Sequence, residues 1–80
     1  MKVLDIVKIR IIELCAAKNM TINKLANEAG MSPSSLKSIL YGRSKNPGIV
    51  TIKIICDGLG ITISEFFDTE EFRNAEQEIQ

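Results

Sequence analysis

Two cationic side chains in a glycine-flanked loop have the clearest binding chemistry in this sequence. Arg43 and Lys45 lie in segment 42–48, whose glycines, proline and small polar residues are typical of a loop. A helical pattern begins directly after it, so exposed backbone N–H groups and positive side chains can face the same way. This arrangement predicts contact with phosphate groups, although such a loop is also compatible with simple solvation.

The residue types that most enzymes and metal sites need are sparse. The sequence contains no histidine, and its two cysteines, Cys15 and Cys56, are far apart and not paired in a C-x-x-C motif. We therefore expect no metal, no cofactor and no enzymatic activity, since Cys-His and Ser-His pairs, a paired-carboxylate cleft and a glycine-rich phosphate loop are lacking. Both cysteines fall in apolar helical patterns, which favours buried thiols in a reducing cytoplasm over a redox sensor.

The charge of the chain is zero overall but unevenly distributed. Residues 1–63 carry nine lysines and arginines against four acids, a net charge of +5, whereas residues 64–80 carry one arginine against six acids, a net charge of −5. A basic body can bind a polyanion despite an acidic tail. Charged residues interrupt the apolar N-terminal segment, so we expect neither a membrane span nor a signal peptide.

The loop must be positioned by residues 21–42, which are predicted to form two short helices joined by a tight turn. Thr21 and Ser32 are predicted N-caps, and Pro33 suits a first helical position. Gly30 and Gly42 stand where the two helices should end. The apolar residues of each helix fall on one face: Ile22, Leu25, Ala26 and Ala29, then Leu36, Ile39 and Leu40. Helices of about two turns are not stable alone, so flanking helices must hold them.

Three further helices are predicted around this pair, which leaves no segment for a sheet. The first covers residues 1–20, with a buried stripe of Leu4, Val7, Ile11, Leu14 and Cys15. The fourth covers residues 49–59, with a buried side of Ile49, Ile52, Ile55, Cys56 and Leu59. A capping box from Thr62 to Glu65 opens the fifth, whose Phe66 and Phe67 can close the core.

Three features of these helices stay open. Ile6, Ile9 and Ile12 lie off the first stripe, so that helix is either broadly buried or packs this face on a second subunit or on the tail. No reason for Gly58 inside the fourth helix is visible. We divide the chain into a domain of residues 1–68 and an acidic tail of residues 69–80, which either frays or forms a sixth helix with a stripe of Phe72, Ala75 and Ile79.

With this pattern, residues 9–67 closely resemble the Xre-like helix-turn-helix family of phage repressors, the Cro and lambda-repressor type. The resemblance is carried by the joint spacing of segment 21–42, the Asn46-Pro47 pair, the run 51–61 and segment 64–67. It implies an all-α, compact five-helix bundle whose third helix, residues 33–41, reads the major groove of double-stranded DNA. It also implies a cytoplasmic transcriptional regulator, a repressor that binds an inverted repeat as a homodimer.

The resemblance implies roles for individual residues as well. Base edges would be read by the outward side of the third helix, at Pro33, Ser34, Lys37 and Ser38. Phosphates would be contacted by Thr21, Asn23, Ser32, Tyr41, Arg43, Lys45 and Asn46. The bidentate Arg, Asn and Gln side chains that discriminate bases best are absent from this helix, so DNA shape must supply part of the selectivity.

Three other positions depart from the family's pattern. Ile22 stands where relatives most often have a glutamine, and we expect it to pack inward. Cys15 and Leu40 stand where many relatives have an arginine and a glutamate in a partly buried ion pair. Joint replacement by apolar residues avoids an unpaired buried charge, which predicts that Cys15 packs near Leu40.

A second function remains compatible with the sequence. The fold could serve as a protein-interaction module whose serine-rich third helix and acidic tail contact another protein. The zero net charge and the missing base-reading side chains favour this alternative. The net charge of +5 on residues 1–63 and the cations at Arg43 and Lys45 favour DNA.

Overall fold

The computed structural model describes residues 1–42 and 46–79, and all regular structure in these ranges is helical. The helices are α1 (Val3–Ala17), α2 (Ile22–Glu28), α3 (Pro33–Tyr41), α4 (Ile49–Leu59), α5 (Ile63–Phe67) and α6 (Glu70–Arg73). This confirms the all-α fold with a short sixth helix. Within the described ranges, no helix has the length and apolar character needed to cross a membrane.

The helix ends follow the local signals in the sequence. The hydroxyl oxygens of Thr21 and Ser32 accept hydrogen bonds from the backbone N–H groups of Lys24 and Ser35, at 3.0 and 3.1 Å. Thr62 and Glu65 form the complete predicted capping box. Gly30 and Gly60 adopt left-handed conformations, with φ of 67° and 73°, after α2 and α4. These caps fix where each helix begins and ends before any tertiary packing is considered.

A single apolar core joins the first five helices. Phe66 from α5 is fully buried in it, together with residues from the inner faces of the other four. The core residues are Val7, Ile11, Cys15, Leu25, Ala26, Leu36, Ile39, Leu40, Ile52, Ile55, Cys56, Leu59 and Phe66. Cys15 and Leu40 both belong to this cluster, and their packing against each other stays a prediction.

One expectation about the core is wrong. Ile49 has the helical phase of Ile52 and was expected to be buried, yet 61% of its surface is exposed. A helical pattern predicts the direction of a side chain but does not show how far the neighbouring helices extend. Ile49 is exposed because it lies at the start of α4, beyond the residues that form the core. Ile6, whose environment the sequence left open, is buried, and Leu4 and Leu14 of the predicted stripe are half-buried, with Leu14 packed against the core.

The C-terminal tail explains the burial of Ile6. Helix α6 packs against α1, and Ile6 lines two small clefts together with Glu71 of α6. Phe72 packs edge-on against Phe67, with ring centroids 4.7 Å apart. The tail thus begins with the short helix α6, which ends at Arg73. Beyond α6 the tail is not helical, and the backbone N–H of Glu76 donates to the carbonyl of Met1 at 3.0 Å. Ile79 is 83% exposed, so it does not extend the predicted stripe.

Close approach of α2 and α4 explains Gly58. A Cβ atom at this position would lie 3.0 Å from the Cβ of Ala29, 3.1 Å from the backbone nitrogen of Ala29 and 3.1 Å from Cδ1 of Leu25. Leu25 is fully buried and the Ala29 backbone belongs to the end of α2, so neither can move aside without shifting the helix. Glycine permits the two helices to touch at this point.

We predict that Gly58→Ala lowers the free energy of unfolding by about 1–2 kcal/mol, because steric overlap outweighs the gain in helix propensity. Urea unfolding followed by circular dichroism measures this change. Gly48→Ala is the matched control, since a Cβ at Gly48 would meet no atom within 4 Å. A Gly58→Ala protein as stable as the wild type would contradict the packing described for α2 and α4.

Candidate nucleic-acid interface

The turn between α2 and α3 sets the angle of the two helices. Gly30 reverses the chain in its left-handed conformation, and the N–H of Met31 donates to the carbonyl of Ala26 at 2.8 Å. Ser32 then caps α3, and Pro33 occupies its first turn. Because Leu36, Ile39 and Leu40 are buried in the core, the opposite side of α3 must face solvent.

The solvent side of α3 carries the residues expected to read bases. Ser34, Lys37 and Ser38 are exposed and lie on one face of the helix, and Pro33 at its tip is half-buried. A wide groove with a volume of about 620 Å³ runs beside them. Its lining is mostly hydroxyl-bearing and small: Gly30, Met31, Ser32, Ser34, Ser35, Ser38, Ile39 and Thr51. Among the described residues, no charged side chain lines this groove, and Lys37, the cation of α3, is not part of its lining.

Thr51 is a groove residue that the sequence reasoning missed. It lies on α4 and is half-buried, yet it lines the same groove as Ser34 and Ser38 of α3. The available signal was a polar residue within an otherwise apolar run, from Ile49 to Ile52. Since α4 contributes to this surface, the groove is formed by three elements: the turn, α3 and the start of α4.

The residues expected to contact phosphates are distributed over several elements. Thr21 and Asn23 are exposed at the start of α2, Tyr41 is 65% exposed at the end of α3, and Asn46 is exposed before α4. The Ser32 hydroxyl lies 2.8 Å from the Ser35 hydroxyl and also caps α3. Arg43 and Lys45 lie outside the described residues. Ile22 is half-buried against the core, as expected from its departure from the family's pattern.

Most cations of the basic body are engaged inside the protein. Within residues 1–42 and 46–79, Lys24 pairs with Glu28 and Lys53 pairs with Asp57. The pKa of Glu28 is lowered by its hydrogen bond and charge interaction with Lys24. Lys37 has no such partner in this part of the chain, so its ammonium group is available to a ligand.

Lys8 and Arg10 of α1 donate hydrogen bonds to backbone carbonyls at the ends of other helices. The sequence pattern does not reveal this role. The Lys8 ammonium donates to the carbonyl of Gly42 at 3.3 Å, at the end of α3. The Arg10 guanidinium donates to the carbonyls of Phe66 and Glu65, at 2.8 and 2.9 Å, at the end of α5. Cations at helix C-termini complement unpaired carbonyls and the helix dipole. Lys8 therefore helps to position the end of α3.

The two cysteines have no evident part in this surface. Cys15 and Cys56 are buried as free thiols, and desolvation raises the pKa of both. A raised pKa lowers the fraction of reactive thiolate at neutral pH. This environment fits the interpretation of the cysteines as core residues.

Comparisons with known proteins agree with this geometry. A family model described as the Cro/C1-type HTH (helix-turn-helix) DNA-binding domain matches residues 10–71. Among solved structures, the chain is similar to one titled "Crystal structure of the prophage Lp1 protein 11". The similarity covers 94% of this chain and 100% of that chain, with 37% sequence identity and a TM-score of 0.80. A search of curated proteins found no match.

We predict that Lys8→Met lowers the free energy of unfolding by about 0.5–1.5 kcal/mol, because the carbonyl of Gly42 loses a charged donor. Urea unfolding measures the change. Lys18→Met is the matched control: it removes the same charge from an exposed lysine that makes no hydrogen bond or ion pair within the described residues. Equal stabilities of the two variants would contradict a positioning role for Lys8.

Proposed function

The chain belongs to the Cro/C1-type helix-turn-helix DNA-binding family, and we propose that it acts as a repressor of transcription. In this proposal it binds an inverted-repeat operator as a homodimer and occludes a promoter. The observation that carries the proposal is the solvent face of α3. This face is held outward by the burial of Leu36, Ile39 and Leu40, and it presents Lys37 among small hydroxyl side chains.

Base reading is assigned to Pro33, Ser34, Lys37 and Ser38. An exposed lysine at the centre of α3 can donate to O6 and N7 of guanine, which makes Lys37 the main source of direct readout. Serine hydroxyls both donate and accept, so Ser34 and Ser38 discriminate weakly between bases. Their small size instead lets the backbone of α3 approach the groove closely, and DNA shape supplies further selectivity.

Phosphate contact is assigned to residues on both sides of α3. These are Thr21, Asn23, Ser32, Tyr41, Arg43, Lys45 and Asn46. Lys8 donates to a backbone carbonyl of the protein, whereas Lys24 and Lys53 form exposed ion pairs with acids on their own helices, for which phosphates can compete.

One observation favours a second candidate, a protein-interaction module. The groove beside α3 is lined by serines, Thr51 and small apolar residues, and such a surface could also accept a polypeptide. Salt separates the two candidates, since binding to DNA weakens in proportion to the phosphates neutralised. Retained DNA without a shared motif, lost entirely as salt rises, would leave the interaction module as the better interpretation.

We predict that Lys37→Ala weakens binding to a preferred site by about 1–3 kcal/mol and weakens binding to random duplex much less. Lys45→Ala should weaken both alike and reduce the salt slope by about 1, because a phosphate contact carries no sequence information. Fluorescence anisotropy with the two duplexes over a series of salt concentrations measures both effects. If both variants lose the same affinity on both duplexes, Lys37 does not read bases.

A further inference from the structure

Two adjoining clefts, called here the α1–α6 clefts, lie where the C-terminal segment packs on α1. They have volumes of about 110 and 270 Å³ and share Met1, Ile6 and Glu71 as lining residues. The α1 wall of the smaller cleft is formed by Ile6, Ile9, Arg10 and Glu13. These positions have the spacing of one helical face, so the wall is continuous along two turns of α1.

Apolar side chains form much of the lining of the α1–α6 clefts. Ile6 is almost fully buried at 5% exposure, whereas Ile9 and Met1 remain 43% and 53% exposed. Methionine adapts its shape to different neighbours and is frequent on binding surfaces. This face of α1 therefore offers apolar surface that the described part of the chain leaves uncovered.

Acidic side chains border this apolar surface. Glu13 and Glu71 are exposed, and neither forms an ion pair within residues 1–42 and 46–79. Arg10 also lines the smaller cleft, but it directs two of its N–H groups to carbonyls at the end of α5. The surrounding segment 64–80 has a net charge of −5. A ligand of these clefts must therefore bring positive charge.

The size of the α1–α6 clefts indicates the kind of ligand. Small-molecule sites have volumes of about 300–1,000 Å³, and each of the two clefts is smaller than that. Apolar pockets below this size suit single side chains, which anchor many protein interfaces. Nucleic acid does not fit, because the bordering carboxylates repel phosphates.

We propose that the α1–α6 clefts dock a polypeptide segment of another protein that carries two apolar anchor side chains bordered by lysines or arginines. The anchors fill the two clefts, and the cations pair with Glu13 and Glu71. A basic amphipathic helix has this chemistry, since residues three and four apart share one face. The proposal goes beyond the proposed function and does not depend on it.

The α1–α6 clefts and α3 lie on different sides of α1. Lys8, which donates to the carbonyl of Gly42 at the end of α3, precedes Glu13 by five positions. Five positions correspond to about 140° around a helix. A segment docked in the clefts would therefore leave the solvent face of α3 open to DNA.

The test uses a designed peptide of about 14 residues made of leucine and lysine only, with the leucines at helical spacing. We expect two-dimensional NMR spectra of the nitrogen-labelled full chain to show the largest shifts at the amides of Ile6, Ile9, Glu13 and Glu71. The Kd should lie between about 10 µM and 1 mM, since two shallow anchors form a small interface. A peptide with glutamate in place of every lysine should bind at least about tenfold more weakly.

Substitutions separate the apolar and the charged parts of the site. Glu13→Lys and Ile9→Gln should each weaken binding of the lysine peptide at least about fivefold. Both positions are exposed, so the variants should stay folded, which circular dichroism confirms. Asp57→Lys and Ile54→Gln are the matched controls, because they make the same changes at exposed positions of α4. The controls should keep the wild-type Kd within about twofold.

Four results would overturn the docking site. They are the absence of any shift at about 1 mM peptide, shifts confined to the groove beside α3, and equal losses of affinity in the cleft variants and the α4 controls. The fourth is shifts at the same amides that grow with the concentration of the chain alone, which would assign the clefts to a second copy. Ile9→Gln should bind DNA duplex as the wild type does, so the docking site can fail while the proposed function stands.

Discussion

Contact between α2 and α4 is the constraint on which the rest of the structure depends. Helices α2 and α3 have 7 and 9 residues, too few to be stable in isolation. The absence of a side chain at Gly58 lets α4 approach the backbone of Ala29 and the buried Leu25. With α2 fixed in this way, the Gly30 turn and the Ser32 cap determine the direction of α3. The outward position of Lys37 thus depends on the contact between α2 and α4.

The cationic side chains of this protein fall into two groups, those that bind other groups of the protein and those that remain available to a ligand. Lys8 and Arg10 bind backbone carbonyls at the ends of α3 and α5, and Lys24 and Lys53 pair with acids on their own helices. Lys8 and Arg10 act within the protein, so the net charge of residues 1–63 overstates the charge offered to a ligand. Under the proposed function, recognition depends on the cations near α3 and on close approach of small side chains. Selectivity through shape follows naturally from such a surface.

Local signals predicted most of the fold, and contacts between distant residues account for what they missed. Caps at Thr21, Ser32 and Thr62 and the left-handed Gly30 depend on neighbours within a few positions, so the sequence alone reveals them. The exposure of Ile49 and the burial of Ile6 depend on how far another element extends. The need for Gly58 and the place of Thr51 in the groove likewise arise from helices that meet only in the folded chain. A local sequence pattern does not identify residues that come into contact only in the folded chain.

The central claim is that α3 reads DNA sequence as part of a two-fold arrangement. A binding selection from a random duplex library, with sequencing of the DNA retained at moderate salt, tests it most directly. The account predicts an inverted repeat whose half-sites have centres about one helical turn apart, with guanine at the positions facing Lys37. Retained DNA without any shared motif, lost entirely as salt rises, would contradict it and leave only nonspecific attraction to phosphates.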